Sequence, residues 1–262
     1  MDGDREEQRR IREVQIWDSG ALQRTRYEMM LAHANAGPAR MRRDLFIKEA
    51  VAHLGDKKVL EIGSQGWGAV LCKFHIRPKS LICINISETE LDKGKLAAEH
   101  ENFPAEFKIM DANHLDFPDE YFDFVYGVAI LHHLDFTTAM REVARVTKPG
   151  GRILFVEPLR LNPVARLVRR LTPAARTPDE RPLGREELKT IDTWFNTNHL
   201  YTELFYTPMA VISPMIFANP NNWLTRKFDD LDRILVNKFP RLGIFYRTVT
   251  IYGCRLAEDY RS

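Results

Sequence analysis

Apolar residues in the central part of the chain come in short, nearly continuous runs, at 59–62, 81–87, 107–112, 122–128 and 152–157, rather than in alternation. Runs of this length that close on Gly, Asn, Asp or Ser predict strands covered on both faces, as in a parallel sheet. Between the runs the period changes. Ser87 with Glu90 has the spacing of a capping box, so a helix is predicted to start there and end near His100. The helical stretch from Glu142 is stopped by Pro149 and Gly150, and a turn leads into the fifth strand. Ahead of the first strand, helical patterns cover about 5–17 and 21–35, and a third opens at Pro38 and runs to His53. Beyond the fifth strand, residues 200–217 supply a sixth strand and then a helix, and 244–254 alternate as a last strand should. Strands and helices in this order predict an α/β fold.

The first run opens into a glycine-rich loop: Val-Leu-Glu-Ile-Gly-Ser-Gln-Gly-Trp-Gly over 59–68. Glycines after a buried strand let backbone approach a ligand closely, and the carboxyl edge of an α/β sheet is where ligands bind. Glu61 beside that loop would repel a diphosphate and suits a ligand that carries a cation. The nicotinamide fingerprint and the triphosphate loop both require spacings that are missing here.

These residues resemble motif I of the class I S-adenosylmethionine (SAM) dependent methyltransferases, acidic-x-Gly-x-Gly-x-Gly, with the later glycines displaced by one and with Gln65 and Trp67 where that family usually has Gly. The resemblance extends in order through 57–158. It implies a doubly wound, Rossmann-like seven-stranded sheet, mostly parallel with one antiparallel strand. In that reading a single domain is divided into N-terminal lid helices (1–55), a SAM-binding core (56–158), an acceptor-side helical insertion (159–243) and the last strand and tail (244–262). The family's cofactor residues map to Glu61, Gly63, Ser64, Gln65, Gly66, Trp67 and Gly68 for the methionine half. Asn85, where the family places an acid, and Ile86 fall at the ribose, and Asp111 and Ala112 fall at the adenine, with Trp17 and Tyr27 on the lid. Asn162-Pro163, the Leu/Val spacing after it and Arg-Thr-Pro-Asp-Glu over 176–180 resemble the small-molecule methyltransferases of the ubiquinone/menaquinone-biosynthesis type. SAM is then the cofactor and S-adenosylhomocysteine (SAH) the product.

Methyl transfer from a sulfonium needs mainly positioning and desolvation, with a base only when the acceptor must lose a proton. His132, His133 and Glu157 follow central strands and are the candidates for that work; capping or packing roles explain the same residues. No metal is expected, because adjacent histidines would not face one ion and no third ligand is spaced with them. Arginines 160, 166, 169, 170, 176, 181 and 185 give the insertion a basic face, suited to an anionic or lipophilic acceptor or simply to a solvated helix.

Composition narrows the rest. With 262 residues, 44% of them hydrophobic, the chain is long enough for one large domain. A net charge of +2 gives no nucleic-acid signature. The three cysteines lack disulfide or zinc spacing and fit a reducing cytoplasm, and no stretch reads as a secretory leader or a membrane span. Two alternatives stay open: a SAM-binding enzyme of this fold with non-methylating chemistry, and a non-catalytic binding protein.

Overall fold

The computed structural model describes residues 2–20, 22, 25–63 and 70–256. Four helices come first: α1 (Asp2–Ser19), α2 (Thr25–Met30), α3 (Ala32–Ala36) and α4 (Pro38–Val51). The core follows as β1 (Lys58–Ile62), β2 (Ser80–Asn85), α5 (Glu88–His100), β3 (Glu106–Ile109), β4 (Phe122–Val128), α6 (Phe136–Val146) and β5 (Thr147–Pro158). The remainder is α7 (Pro163–Leu171), α8 (Arg185–Asp192), β6 (Phe195–Thr202), α9 (Tyr206–Ile212), α10 (Trp223–Lys238) and β7 (Thr248–Arg255).

One seven-stranded sheet has the order β3-β2-β1-β4-β5-β7-β6. Its neighbours are parallel from β3 to β5, and β7 runs antiparallel to both β5 and β6, so β7 alone is reversed. The expected Rossmann-like sheet with one antiparallel strand is therefore the observed one. Strand order reverses at β1 and β4, whose carboxyl ends flank a crevice.

Both faces of the central strands are covered, which is why they read as continuous apolar runs. Val59, Cys83, Phe124, Tyr126 and Leu154 pack on the α4 side with Ile47 and Val51. Leu60, Ile62, Ile84, Val125 and Phe155 pack on the other with Met140 and Val143 of α6 and Leu188 of α8. Each fully buried side chain of this size contributes about 1.5–3 kcal/mol. Glu61 shares the pleat of Val59, and the period of two turns it toward the α4 side.

Local signals placed most boundaries. Ser87 Oγ accepts from Glu90 N at 3.2 Å, so α5 starts where its cap predicts, and it ends at His100. The stretch at 21–35 divides into α2 and α3 where Leu31 leaves helical geometry, which seats Leu31 and Ala34 against Val168, Tyr206 and Ala210. Extended backbone resumes at Thr147, ahead of Pro149-Gly150. Those residues bulge, so Phe122 pairs with Thr147 and Phe124 with Arg152, and Gly150 takes φ +73°. β6 starts at Phe195 rather than near Leu200, because an edge strand with a partly exposed face is polar at alternate positions. β7 starts at Thr248, since Pro240–Phe245 forms a 3-10 turn.

Candidate functional site

The carboxyl ends of four strands enclose a narrow cleft. Ile62 and Gly63 come from β1, Ile84, Asn85 and Ile86 from β2, Met110 and Ala112 from beyond β3, and Ala129, Ile130, His133 and Leu134 from beyond β4. Glu13 and Trp17 of α1 roof it. Gly63 is required at its place: its φ is +71°, and a Cβ would stand 2.4 Å from the Ile130 side chain. Its N–H donates to Ile84 O at 2.9 Å, which fixes the loop entrance. Asn85 Oδ1 accepts from Ser87 N at 3.0 Å, holding the turn into α5. The roof is tied down by Asp18, whose carboxylate accepts from Ser87 Oγ at 2.5 Å, and by Arg12 on Asp179 at 2.9 Å.

Against this cleft lies a cavity of about 330 Å³, separated from it by Ala129 and His133, which line both. Ala129 takes φ +54°, a left-handed conformation costly for a residue with a Cβ, and turns the chain sharply out of β4. The 3-10 turn Leu131–His133 then brings both histidine rings to the cavity, 4.2 Å apart between centroids. Glu157, at the end of β5 and fully buried, accepts from Ile130 N and Leu131 N at 2.9 and 2.8 Å through Oε1. Its Oε2 lies 2.6 Å from His132 Nδ1. A carboxylate in that place accepts the Nδ1–H hydrogen bond and leaves Nε2 of a neutral His132 as the accepting nitrogen. His133 Nδ1 lies 3.4 Å from Glu13 Oε2 and 3.2 Å from Thr177 Oγ1. Burial pushes the Glu13 carboxyl up, but hydrogen bonding and charge from His133 and hydrogen bonds from Thr177 and Trp17 outweigh it and hold the group below its usual range.

The far wall is cationic. Arg43 of α4 and Arg247, just before β7, both bind the fully buried Glu203 carboxylate, Arg43 Nη1 at 3.1 Å and Arg247 through Nε. Burial opposes the Glu203 charge, and the two guanidiniums reverse that and hold its carboxyl below the ordinary value. Two guanidiniums on one carboxylate leave a net positive charge in the wall. Arg169 adds another: burial pushes its pKa down, and its Nη2 donates to the carbonyl of Arg160 at 3.2 Å. Arg176 pairs with Glu180 at 3.1 Å and lies over the Tyr27 ring.

The expected site residues separate into groups. Gly63, Asn85, Ile86 and Ala112 are on the cleft wall. Asp111 stands in an adjoining recess with Arg9, Arg10 and Asn113, and its Oδ1 accepts from Asn113 N at 2.8 Å. Glu61 is placed elsewhere, inside the sheet's α4 side, where Tyr126 Oη donates to it at 2.9 Å and Cys83 Sγ at 3.4 Å. Burial first and Glu61 second raise the Tyr126 pKa, so that hydroxyl remains a donor. Tyr27 lines the cavity rather than the cleft, and Trp17 is the aromatic roof. Ser64, Gln65, Gly66, Trp67 and Gly68 lie outside the described residues. His132, His133 and Glu157 all line the cavity.

Some site residues escaped the sequence. Glu13 lies one helical turn before Trp17 on the same face of α1, a spacing that pointed to it. Arg43, Glu203 and Arg247 had no local signal. Glu180 stands beside the histidines without a spacing that announces it: one ligand atom from each of His132, His133 and Glu180 lies within 4.8 Å of the others.

Known proteins agree with this geometry. The methyltransferase domain family matches residues 60–155. The ubiquinone/menaquinone biosynthesis C-methyltransferase UbiE of Neisseria meningitidis is 31% identical over 140 residues, 50% of this chain and 54% of that one. A fatty-acid O-methyltransferase of Mycolicibacterium smegmatis is 31% identical over 134 residues, 50% of this chain and 43% of that one. The chain thus spans about half the length of these curated relatives. Among solved structures, geranyl diphosphate C-methyltransferase of Streptomyces coelicolor, in complex with Mg2+, geranyl diphosphate and SAH, superposes with a TM-score of 0.58 at 14% identity. That match covers 83% of this chain and 79% of that one. The described residues hold no helix long and apolar enough to cross a membrane. Sheet order, domain match and relatives together identify residues 60–155 as a class I SAM-dependent methyltransferase domain resembling that of the ubiquinone/menaquinone group.

Proposed function

We propose that the protein is a methyltransferase that transfers the methyl group of SAM to a small, anionic acceptor. The observation that carries this reading is the pair of adjoining cavities with a shared wall at Ala129 and His133. An in-line displacement needs donor and acceptor in contact across such a boundary, each shielded from water. SAM would lie in the cleft with its methionine end over Gly63 and its adenosine near Asn85, Ile86 and Ala112, and Asp111 would meet the adenine edge. Residues 64–68 would complete the methionine site. Glu61 would act from beneath, keeping the end of β1 in place through Tyr126.

The acceptor would occupy the 330 Å³ cavity with its anionic group toward Arg43, Arg169 and Arg247 and its reacting atom toward the histidines. Where that atom is a hydroxyl or amine, His132 Nε2 takes its proton, and Glu157 stabilises the imidazolium that results. Isothermal titration with SAM and SAH tests the cofactor half; absence of heat at millimolar ligand would end the reading. Release of SAH with a panel of carboxylate- and phosphate-bearing acceptors, set against their neutral esters, tests the other half. A preference for the neutral esters would contradict the anionic assignment.

A further inference from the structure

We propose that the inner end of the cavity is a binding site for a first-row divalent transition metal, with His132, His133 and Glu180 as its protein ligands. The three donor atoms already lie within 4.8 Å of one another, and the side chains are only 6%, 11% and 11% exposed. A tetrahedral ion with bonds of about 2.0–2.2 Å sets its ligand atoms roughly 3.4 Å apart, a closure within reach of small side-chain rotations. Adjacent histidines converge here because a 3-10 turn, not a helix or strand, carries them.

The surroundings of each ring point the same way. His132 has its Nδ1 on Glu157, and His133 has its Nδ1 beside Glu13 and Thr177. Both rings are thereby oriented by a carboxylate, with Nε2 as the lone pair left to bind. Metal-bound histidines are held in this way almost without exception. Lone catalytic histidines need one such carboxylate; two side by side, next to a third acid, are more than a base requires.

The donors are of the right kind as well. Glu13, Glu157 and Glu180 surround the two imidazoles, with Arg176 paired to Glu180 and Arg9 and Arg169 within electrostatic reach of Glu13 and Glu180. Two imidazoles and one carboxylate form a donor set for Zn2+, Co2+ or Fe2+ rather than for Mg2+ or Ca2+. Three protein ligands leave a coordination position open to the cavity. On the acceptor reading above, an oxygen of the acceptor would fill it while the anionic group meets the arginine wall, and with the ion bound His132 Nε2 would be a ligand and not the base; binding of the ion itself does not depend on that reading.

The test uses the full chain, stripped with a chelator and titrated with Co2+, Zn2+ and Mg2+. One Co2+ should bind per chain with visible d–d absorption, Zn2+ should displace it, and Mg2+ should not compete. Glu180→Gln should weaken Co2+ binding at least tenfold while SAH binding persists, which shows that the variant is folded. Glu13→Gln, which disturbs only the ring's orientation, should cost about 10- to 100-fold. No Co2+ or Zn2+ binding by a protein that binds SAH would overturn the metal site alone. Equal Co2+ affinity in wild type, Glu180→Gln and His132→Ala would place the ion elsewhere and overturn it too. Failure to bind SAH with Co2+ binding intact would instead remove the methyltransferase reading and leave the metal site standing.

Discussion

The cofactor cleft and the acceptor cavity share Ala129 and His133 and otherwise have little in common. The cleft is walled mainly by apolar residues at or a few positions past consecutive strand ends, under a roof of Glu13 and Trp17 from α1. The cavity draws on α2 to α4, the ends of β4 and β5, α7, the 175–180 turn and the residues before β7, and its wall is a set of buried charges. A cleft of the first kind tolerates exchange of side chains as long as the backbone keeps its course. A cavity of the second kind depends on particular ion pairs, because each buried charge is costly once its partner is gone. Specificity and fragility should therefore concentrate on the acceptor side.

That contrast meets its hardest test at His132. His132→Ala should lower turnover by about two to four decades, with SAM affinity in isothermal titration nearly unchanged. Should affinity collapse with turnover, the two cavities would not be independent, and the contrast would fail. Restoration of much of the lost rate at high pH would favour a proton-accepting role, whereas insensitivity to pH together with loss of Co2+ binding would favour the metal ligand.

Next in size is Glu203→Gln, which leaves Arg43 and Arg247 buried without their carboxylate. A loss of about 3–5 kcal/mol is expected in denaturant unfolding at neutral pH. The pH dependence has a definite sign. The Glu203 carboxyl is held below its ordinary value of 4.5, so its contribution is complete above that value and disappears as pH falls through the lower folded-state value. The gap between wild type and variant should narrow as pH falls below 4.5, and a gap that does not narrow in acid would refute the ion-pair account.

On the cofactor side the effects should be smaller. Asp111→Ala should weaken SAM by about 1.5–3 kcal/mol, one to two decades, with unfolding little changed because the residue is at a strand-end turn. Wild-type affinity would show that the adenine is read by backbone alone. Asn85→Asp is the mildest: it keeps the oxygen that accepts from Ser87 N and adds charge toward a ribose, for a gain of about 1 kcal/mol, or several-fold in Kd. An unchanged Kd would mean that the side chain only holds the turn.

The same contrast explains what could be read in advance. β4 was legible to the residue, and α5 was bounded by its own cap, because continuous apolar runs and capping boxes are local patterns. Gly63 was legible because a positive φ beside Ile130 leaves no alternative residue. Glu61 looked like a cleft residue by position, yet the pleat of β1 turns it to Tyr126 and Cys83; a one-residue change of face is invisible without the neighbouring strands. Tyr27, expected on a lid over the cofactor, lines the other cavity, since the bend at Leu31 redirects its helix.

By itself, then, the sequence determined the strand and helix order, the doubly wound class, the glycine entrance to the cleft and the three polar residues at or just past the ends of β4 and β5. Those features rest on interactions within a few residues or on periodicity. Tertiary structure alone decided that Glu203 joins Arg43 and Arg247, that Glu13 from α1 orients His133, and that Glu180 arrives beside two histidines. These partners stand far apart in the chain, and what unites them is the cost of burying a charge alone, a condition that has no meaning until the fold has made an inside.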